Sequence, residues 1–235
     1  MPDGFTIPTL GAIRLDRLRF DVEPLIADLA LFDEEDWDDR DYSQSGGQSG
    51  GQPDGESWNE VQLIADTPHP KLAQCPALAQ VLATFPGRPI DMLWSRLRPG
   101  AAVGLHRDIS GGGAMGVARF HVPIITNPGV IFMIDGQWIT MAPGEVWSLD
   151  TTYPHAVTNR GDTARVHLIV DVEATPAIRR MLPPPSWRTR LHTVEFAAAC
   201  VAKAAQMVLR EPRALTKRVV DFGRLRVLRR PTLFD

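Results

Sequence analysis

Residues 117–150 read VARFHVPIITNPGVIFMIDGQWITMAPGEVWSLD, and this stretch decides the fold class. Residues 117–126 are rich in β-formers. Residues 130–134 and 137–141 flank Asp135-Gly136, a pair that tolerates left-handed backbone at both turn positions, so they predict a hairpin with a tight primed turn. Pro143-Gly144 turns the chain into a further strand over 146–150. Working outward, residues 90–98 alternate before this stretch, and residues 165–172 form a strand after the turn at Gly161-Asp162. Short, regularly spaced strands with turns between them predict an antiparallel barrel or sandwich. No helices alternate with them, which argues against a parallel α/β fold.

The flanks read differently. Residues 183–185 are all proline, and the Ala-rich run 189–210 lacks Gly and Pro, so it predicts a helix that ends before Glu211-Pro212. A short helix is expected over 213–221, and two more around 23–30 and 75–84. Residues 43–55, SQSGGQSGGQPDG, cannot bury apolar surface and predict a loop or linker. These shifts divide the chain into an acidic N-terminal segment, 1–89, a β core, 90–175, and a basic helical extension, 176–235.

With 44% apolar and 23% charged residues, the 235-residue chain falls among ordinary globular proteins, not disordered or fibrous ones. Its net charge of −3 hides an asymmetry of −12 over residues 1–66, 0 over 67–178 and +9 over 179–235. The basic end lacks aromatic-basic alternation or a nucleic-acid motif, so nucleic acid is not an expected partner. The longest uninterrupted apolar run, 196–202, is far too short to span a bilayer, and no signal-peptide core opens the chain. The expected location is cytoplasmic. Cys75 and Cys200 are far apart and form no CxxC, which excludes a disulfide scaffold or a thiolate zinc site.

The chemistry concentrates in the β core. In Leu105-His106-Arg107-Asp108 the two-residue step puts His106 and Asp108 on one side of an extended chain, where an imidazole and a carboxylate can converge on one ion. His155, after the strand that ends at Asp150, can supply a third ligand. Two histidines and one carboxylate on one face of a metal leave positions open, the arrangement of non-haem Fe(II) oxygenases. Arg119 and His121 stand two apart in a predicted strand and share a face. Arg165 opens the last strand. A guanidinium inside a barrel is costly unless it meets an anion, and its fork matches a carboxylate. His167 shares the Arg165 face and reads as structural, while His69 and His192 read as non-ligands. Trp94, Trp138 and Trp147 lie in predicted strands and are expected to pack the barrel. Residues 111–116, GGGAMG, lack the Lys-Ser/Thr of a phosphate cradle and read as a loop beside Asp108.

The ordered run of Ser95, Pro99-Gly100, His106-Arg107-Asp108, Arg119-Phe120-His121, Gly144-Glu145, Asp150, His155, Arg165 and Val170-Asp171-Val172 resembles the aspartyl/asparaginyl β-hydroxylase family, over about a third of the chain. Within it, the bacterial branch with the free L-proline cis-hydroxylases is the most similar. The resemblance implies a mainly β fold, a double-stranded β-helix of jelly-roll, cupin-like type, here with flanking N- and C-terminal helices. It also implies Fe(II) bound by His106, Asp108 and His155, with O2 and 2-oxoglutarate as cosubstrates. By the same resemblance Arg165 would bind the distal carboxylate of 2-oxoglutarate, and Ser95, Arg119 and His121 would line that pocket. Asp108 sets the chain apart from the animal peptide-hydroxylating members, which lack this carboxylate.

The expected function is hydroxylation of a C–H bond in an amino acid or amino-acid residue of Asp, Asn or Pro type, free, in a peptide or carrier-bound. The alternative is a non-catalytic metal-binding β-barrel that acts as a binding or regulatory module, with Zn(II) or Ni(II) in place of iron. Such a module has no need to aim His121 and Arg165 at a dicarboxylate. A basic tail that guides a protein or RNA-associated partner is a third reading.

Overall fold

The computed structural model describes residues 10–39, 58–108, 112 and 116–210. The segment 43–55, most of the glycine run 111–116 and the helix expected over 213–221 lie outside the described residues. In chain order the elements are β1 (Ala12–Arg19), α1 (Val22–Leu29), β2 (Asp38–Asp39), β3 (Trp58–Ile64), α2 (Pro76–Thr84), β4 (Pro89–Leu97), β5 (Ala102–His106) and β6 (Val117–Ile125). They continue with β7 (Val130–Ile134), β8 (Gln137–Ile139), β9 (Glu145–Leu149), β10 (His155–Asn159), β11 (Arg165–Glu173), α3 (Pro176–Met181) and α4 (Trp187–Arg210).

The strands form a seven-stranded sheet, β1-β9-β6-β11-β4-β3-β2, and a four-stranded sheet, β5-β10-β7-β8, antiparallel throughout. From β4 to β11 every connection crosses between the sheets except the β7–β8 hairpin, which is the topology of a double-stranded β-helix. Asp135 and Gly136 have φ of 52° and 71°, the backbone of the expected primed turn.

Period-two alternation in the central strands separates two interiors. On β11, Val166, Leu168, Val170 and Val172 join Met92, Trp94, Phe120 and Val122 beneath Leu25 of α1, Leu78 and Val81 of α2 and Ile178 of α3. The opposite face of β11, with Arg165, His167, Ile169 and Asp171, turns toward the four-stranded sheet. Between the sheets Ala12 and Leu149 pack on Phe132, Ile134, Met141 and Tyr153, and Leu97 packs on Val103. The helix-covered layer is thus apolar, and the space between the sheets carries the polar groups. Trp94 is buried in the helix layer and Trp138 is 71% exposed on the edge strand β8, so of the three tryptophans only Trp147 packs in the barrel. The reason is parity. Trp94 lies between Leu93 and Ser95, whose side chains take the inner face.

The first 89 residues supply three strands to the large sheet, where the sequence reading places helices and a Gly/Ser/Gln-rich loop. β1 is an edge strand whose charged Arg14, Asp16, Arg17 and Arg19 guard its open side and obscure its alternation. The helices expected near 23–30 and 75–84 are α1 and α2. They are joined at a buried point, where the Asp28 carboxylate accepts from the Leu78 N–H at 2.8 Å and so caps α2 from α1. The unit that holds both sheets extends to Pro184, and Pro185–Asp235 is a second unit. Its described helix, α4, starts at Trp187, two residues before the expected 189, because the Ser186 hydroxyl accepts from the Thr189 N–H. Among the described residues no helix is long and apolar enough to cross a membrane.

Candidate functional site

His106 ends β5 and His155 opens β10, and the two are directly paired across the sheet. Their ring centroids lie 4.1 Å apart. Asp108 follows β5 and is tied to the sheet by its N–H, which donates to Thr151 O at 2.9 Å. One ligand atom from each of His106, Asp108 and His155 lies within 4.8 Å of the others, as a set able to hold a metal ion. The imidazole Nε2 atoms of His106 and His155 stand 3.6 and 3.9 Å from Asp108 oxygens.

The tautomers follow from the backbone. His106 Nδ1 lies 2.7 Å from Gly104 O, and His155 Nδ1 lies 3.1 Å from Tyr153 O. A carbonyl only accepts, so each Nδ1 carries the proton and each Nε2 presents its lone pair. Burial keeps His155 neutral, with its pKa lowered to about 4 despite the Asp108 charge. Two neutral imidazole nitrogens and a carboxylate are the donor set that suits a first-row divalent metal with open positions, so the residues present fit Fe(II).

Arg119 spans the gap between Asp108 and β11. Its Nε and Nη2 donate to the two oxygens of Asp171, each at 2.8 Å, and its Nη1 donates to Asp108 Oδ2 at 2.7 Å. Burial works against the charge, but Asp171 and then Asp108 hold the guanidinium firmly protonated. The sequence reading puts Arg119 in the cosubstrate pocket. In the structure its partners are two carboxylates of its own chain.

Further along the same inner face lies a second cluster. Arg165, 3% exposed, donates from Nη2 to His167 Nδ1 at 2.7 Å and from Nη1 weakly to Ser95 Oγ at 3.5 Å. Its Nε is buried with no partner. Burial lowers its pKa to about 9, and Glu60, opposite Ser95 on β3, offsets that in part. The Ser95 hydroxyl also accepts from Trp58 Nε1 at 2.8 Å, which leaves its own proton available to a ligand. Both ring nitrogens of His121 are buried without a partner, and burial followed by the Arg165 charge pushes its pKa well below the usual imidazole range. Burial and Arg165 do the same to His167. A line of rings connects the two clusters: His155 stacks toward Phe132 with centroids 6.4 Å apart, Phe132 meets His121 at 6.4 Å, and His121 meets His167 at 5.8 Å.

The structure therefore places the named residues in two neighbouring clusters, a metal-type one and an arginine one, joined by this line of rings. His69 lies elsewhere, where its Nδ1 accepts from the Lys71 N–H. Cys75 is buried and Cys200 half-buried, both as free thiols. Sequence reasoning assigned no role to Asp171, Trp58, Glu60 or Phe132. For Asp171 a signal was present: it stands six residues after Arg165, on the same face of the strand as Arg165 and His167.

Fold and site together define a cupin-like jelly-roll protein with a two-histidine, one-carboxylate centre. The chain belongs to the aspartyl/asparaginyl beta-hydroxylase family, whose pattern matches residues 17–175. It is similar to L-proline cis-4-hydroxylase of Rhizobium meliloti (strain 1021), 37% identical over 57 residues, which are 24% of this chain and 20% of that enzyme. The match thus spans a fifth of the length of the curated relative. Among solved structures it is similar to an oxidoreductase of the 2OG-Fe(II) oxygenase family from Burkholderia pseudomallei, at 12% identity and a TM-score of 0.40, over 55% of this chain and 74% of that one. A cupin 2 conserved barrel domain protein from Salinispora arenicola CNS-205 is similar at 15% identity and a TM-score of 0.33, over 60% of this chain and 92% of that one.

Proposed function

We propose that the protein is an Fe(II)- and 2-oxoglutarate-dependent dioxygenase that hydroxylates a C–H bond of an amino acid or amino-acid residue. The observation that carries this reading is the convergence of His106, Asp108 and His155 with both imidazoles preset to offer Nε2. When bound, ferrous ion with 2-oxoglutarate and O2 supplies the oxidation, placing one oxygen atom in the C–H bond and the other in succinate as CO2 leaves.

The chain's own residues do the rest. Gly104 O and Tyr153 O hold the Nδ1 protons of His106 and His155, so no tautomer change precedes metal binding. Arg119 donates from Nη1 to Asp108 Oδ2 and so keeps the carboxylate turned toward the two imidazoles. Arg165 offers a buried guanidinium, with Nε unpaired, to the distal carboxylate of 2-oxoglutarate, and His167 fixes its orientation. The Ser95 hydroxyl and the His121 ring, both on the same face, supply further polar contacts. Burial of Ser95, His121 and Arg165 keeps these groups out of water, which strengthens their interactions. The substrate is a small-molecule or peptide amino acid, and the cytoplasm, where Cys75 and Cys200 stay reduced, is the fitting location.

The test is anaerobic titration of Fe(II)-loaded protein with 2-oxoglutarate, following the visible metal-to-ligand charge-transfer band. The band is expected in the parent and absent in His155→Ala. A folded, iron-loaded parent without the band overturns the reading and leaves the non-catalytic metal-binding barrel ahead.

A further inference from the structure

Asp171 is buried, with its side chain 5% exposed, and lies directly opposite Arg119 across the β6–β11 pair. It takes two of the three donor positions of the Arg119 fork and leaves the third, Nη1, aimed at Asp108 Oδ2. A guanidinium is planar, so fixing two donors on one carboxylate fixes the direction of the third. Among the described residues Arg119 is the hydrogen-bond donor to the Asp108 side chain. Asp108 lies beyond the end of β5, and its backbone N–H is anchored to Thr151 O, which leaves the two side-chain torsions to be set by Arg119. With Oδ2 held by Arg119, Oδ1 is the oxygen 3.6 Å from His106 Nε2.

From this we infer that Asp171 is a positioning residue for the metal centre. It acts through Arg119 to orient the carboxylate ligand Asp108 and to balance a cation that would otherwise repel the metal. The inference rests on the metal site of the proposed function. The charges make the point. With Asp171 paired to it, Arg119 adds no net charge beside Asp108, whereas loss of the Asp171 charge leaves an unbalanced cation against the carboxylate ligand. Outer partners of metal ligands typically change metal affinity by about 10- to 100-fold.

The experiment titrates the full chain with Co(II) alone, reading affinity and band shape from the visible d–d absorption, so neither 2-oxoglutarate nor turnover enters. Asp171→Asn is expected to weaken Co(II) binding by about 10- to 100-fold and to alter the band. In an Arg119→Met background, Asp171→Asn is expected to change the affinity less than about threefold, because no guanidinium remains to be oriented or balanced. Arg119→Lys, which keeps the charge without the fork, is expected to weaken Co(II) binding like Asp171→Asn, and it serves if Asp171→Asn does not fold. Parental Co(II) affinity and band in folded Asp171→Asn or Arg119→Lys overturns the positioning role, as does an Asp171→Asn effect that persists in the Arg119→Met background. A parent with no Co(II) band that depends on His155 overturns the metal-site reading itself, and this inference with it.

Discussion

Replacing Arg165 with Met separates stability from function at one residue. The guanidinium is 3% exposed, keeps a single strong hydrogen bond, to His167 at 2.7 Å, and leaves Nε unpaired. Lowering its pKa from 12.5 to about 9, chiefly through burial, corresponds to roughly 5 kcal/mol spent to keep the charge in place, at about 1.4 kcal/mol per pKa unit. Met fills similar volume without charge. Against the relief stand the buried His167 Nδ1 left without its donor, about 1–3 kcal/mol, and the lost attraction to Glu60. The expected net effect is stabilisation of the ligand-free protein by about 1–4 kcal/mol, the range found when buried charges give way to apolar side chains. For a unit of this size that is a rise in Tm of roughly 2–15 °C. Binding moves the opposite way. Removing a desolvated charge partner costs a ligand about 2–5 kcal/mol, or roughly 30- to 4,000-fold in Kd. Urea unfolding gives the first quantity, and calorimetric titration of Co(II)-loaded protein with 2-oxoglutarate gives the second. Co(II) affinity itself is expected to stay within about threefold of the parent, since Arg165 hydrogen-bonds to none of the three candidate ligands. A variant that is destabilised, or that binds 2-oxoglutarate like the parent, refutes the view of Arg165 as a strained, waiting anion site.

Two further outcomes follow from the buried polar groups. His121 and His167 have pKa values held well below 6.5, so the unfolded chain binds more protons than the folded one as pH falls below 6.5; stability is fully present above that pH and is lost progressively below it. Each contributes a slope approaching about 1.4 kcal/mol per pH unit, and His121→Leu is expected to remove its share in urea titrations at pH 7, 6 and 5, whereas an unchanged slope contradicts the buried neutral imidazole. Asp28→Ala leaves the Leu78 N–H without its buried acceptor and is expected to cost about 1–3 kcal/mol, measurable as a lower urea midpoint, with Cys75, now beside a mobile α2 N-terminus, more reactive toward a thiol reagent than in the parent.

Strand periodicity made much of the fold legible. Residues 117–150 announce β6, the β7–β8 hairpin and β9 because local turn chemistry and alternation agree there. The His106–Asp108 step and the shared parity of Arg119 with His121, and of Arg165 with His167, are likewise local: adjacent inward positions on one strand are two residues apart whatever the rest of the chain does. Recognition of the ordered motif then supplied the double-stranded β-helix, which alternation alone leaves open between barrel and sandwich.

What local pattern cannot carry is which strand meets which. β1 and β3 join the large sheet through β9 and β4 partners 28 to 137 residues away, and their charged sequences show little of it. The same holds for the site. That Arg119 clasps Asp171 and Asp108, that Asp28 caps a helix fifty residues on, and that Trp138 faces outward are decided by register between strands and by packing between elements. By itself the sequence determined which faces are apolar, where the chain turns and which side chains carry chemistry. Only the tertiary structure decided the partner of each charged group, because a buried ion pair is formed by whatever the register places opposite it, and register is a property of the whole sheet.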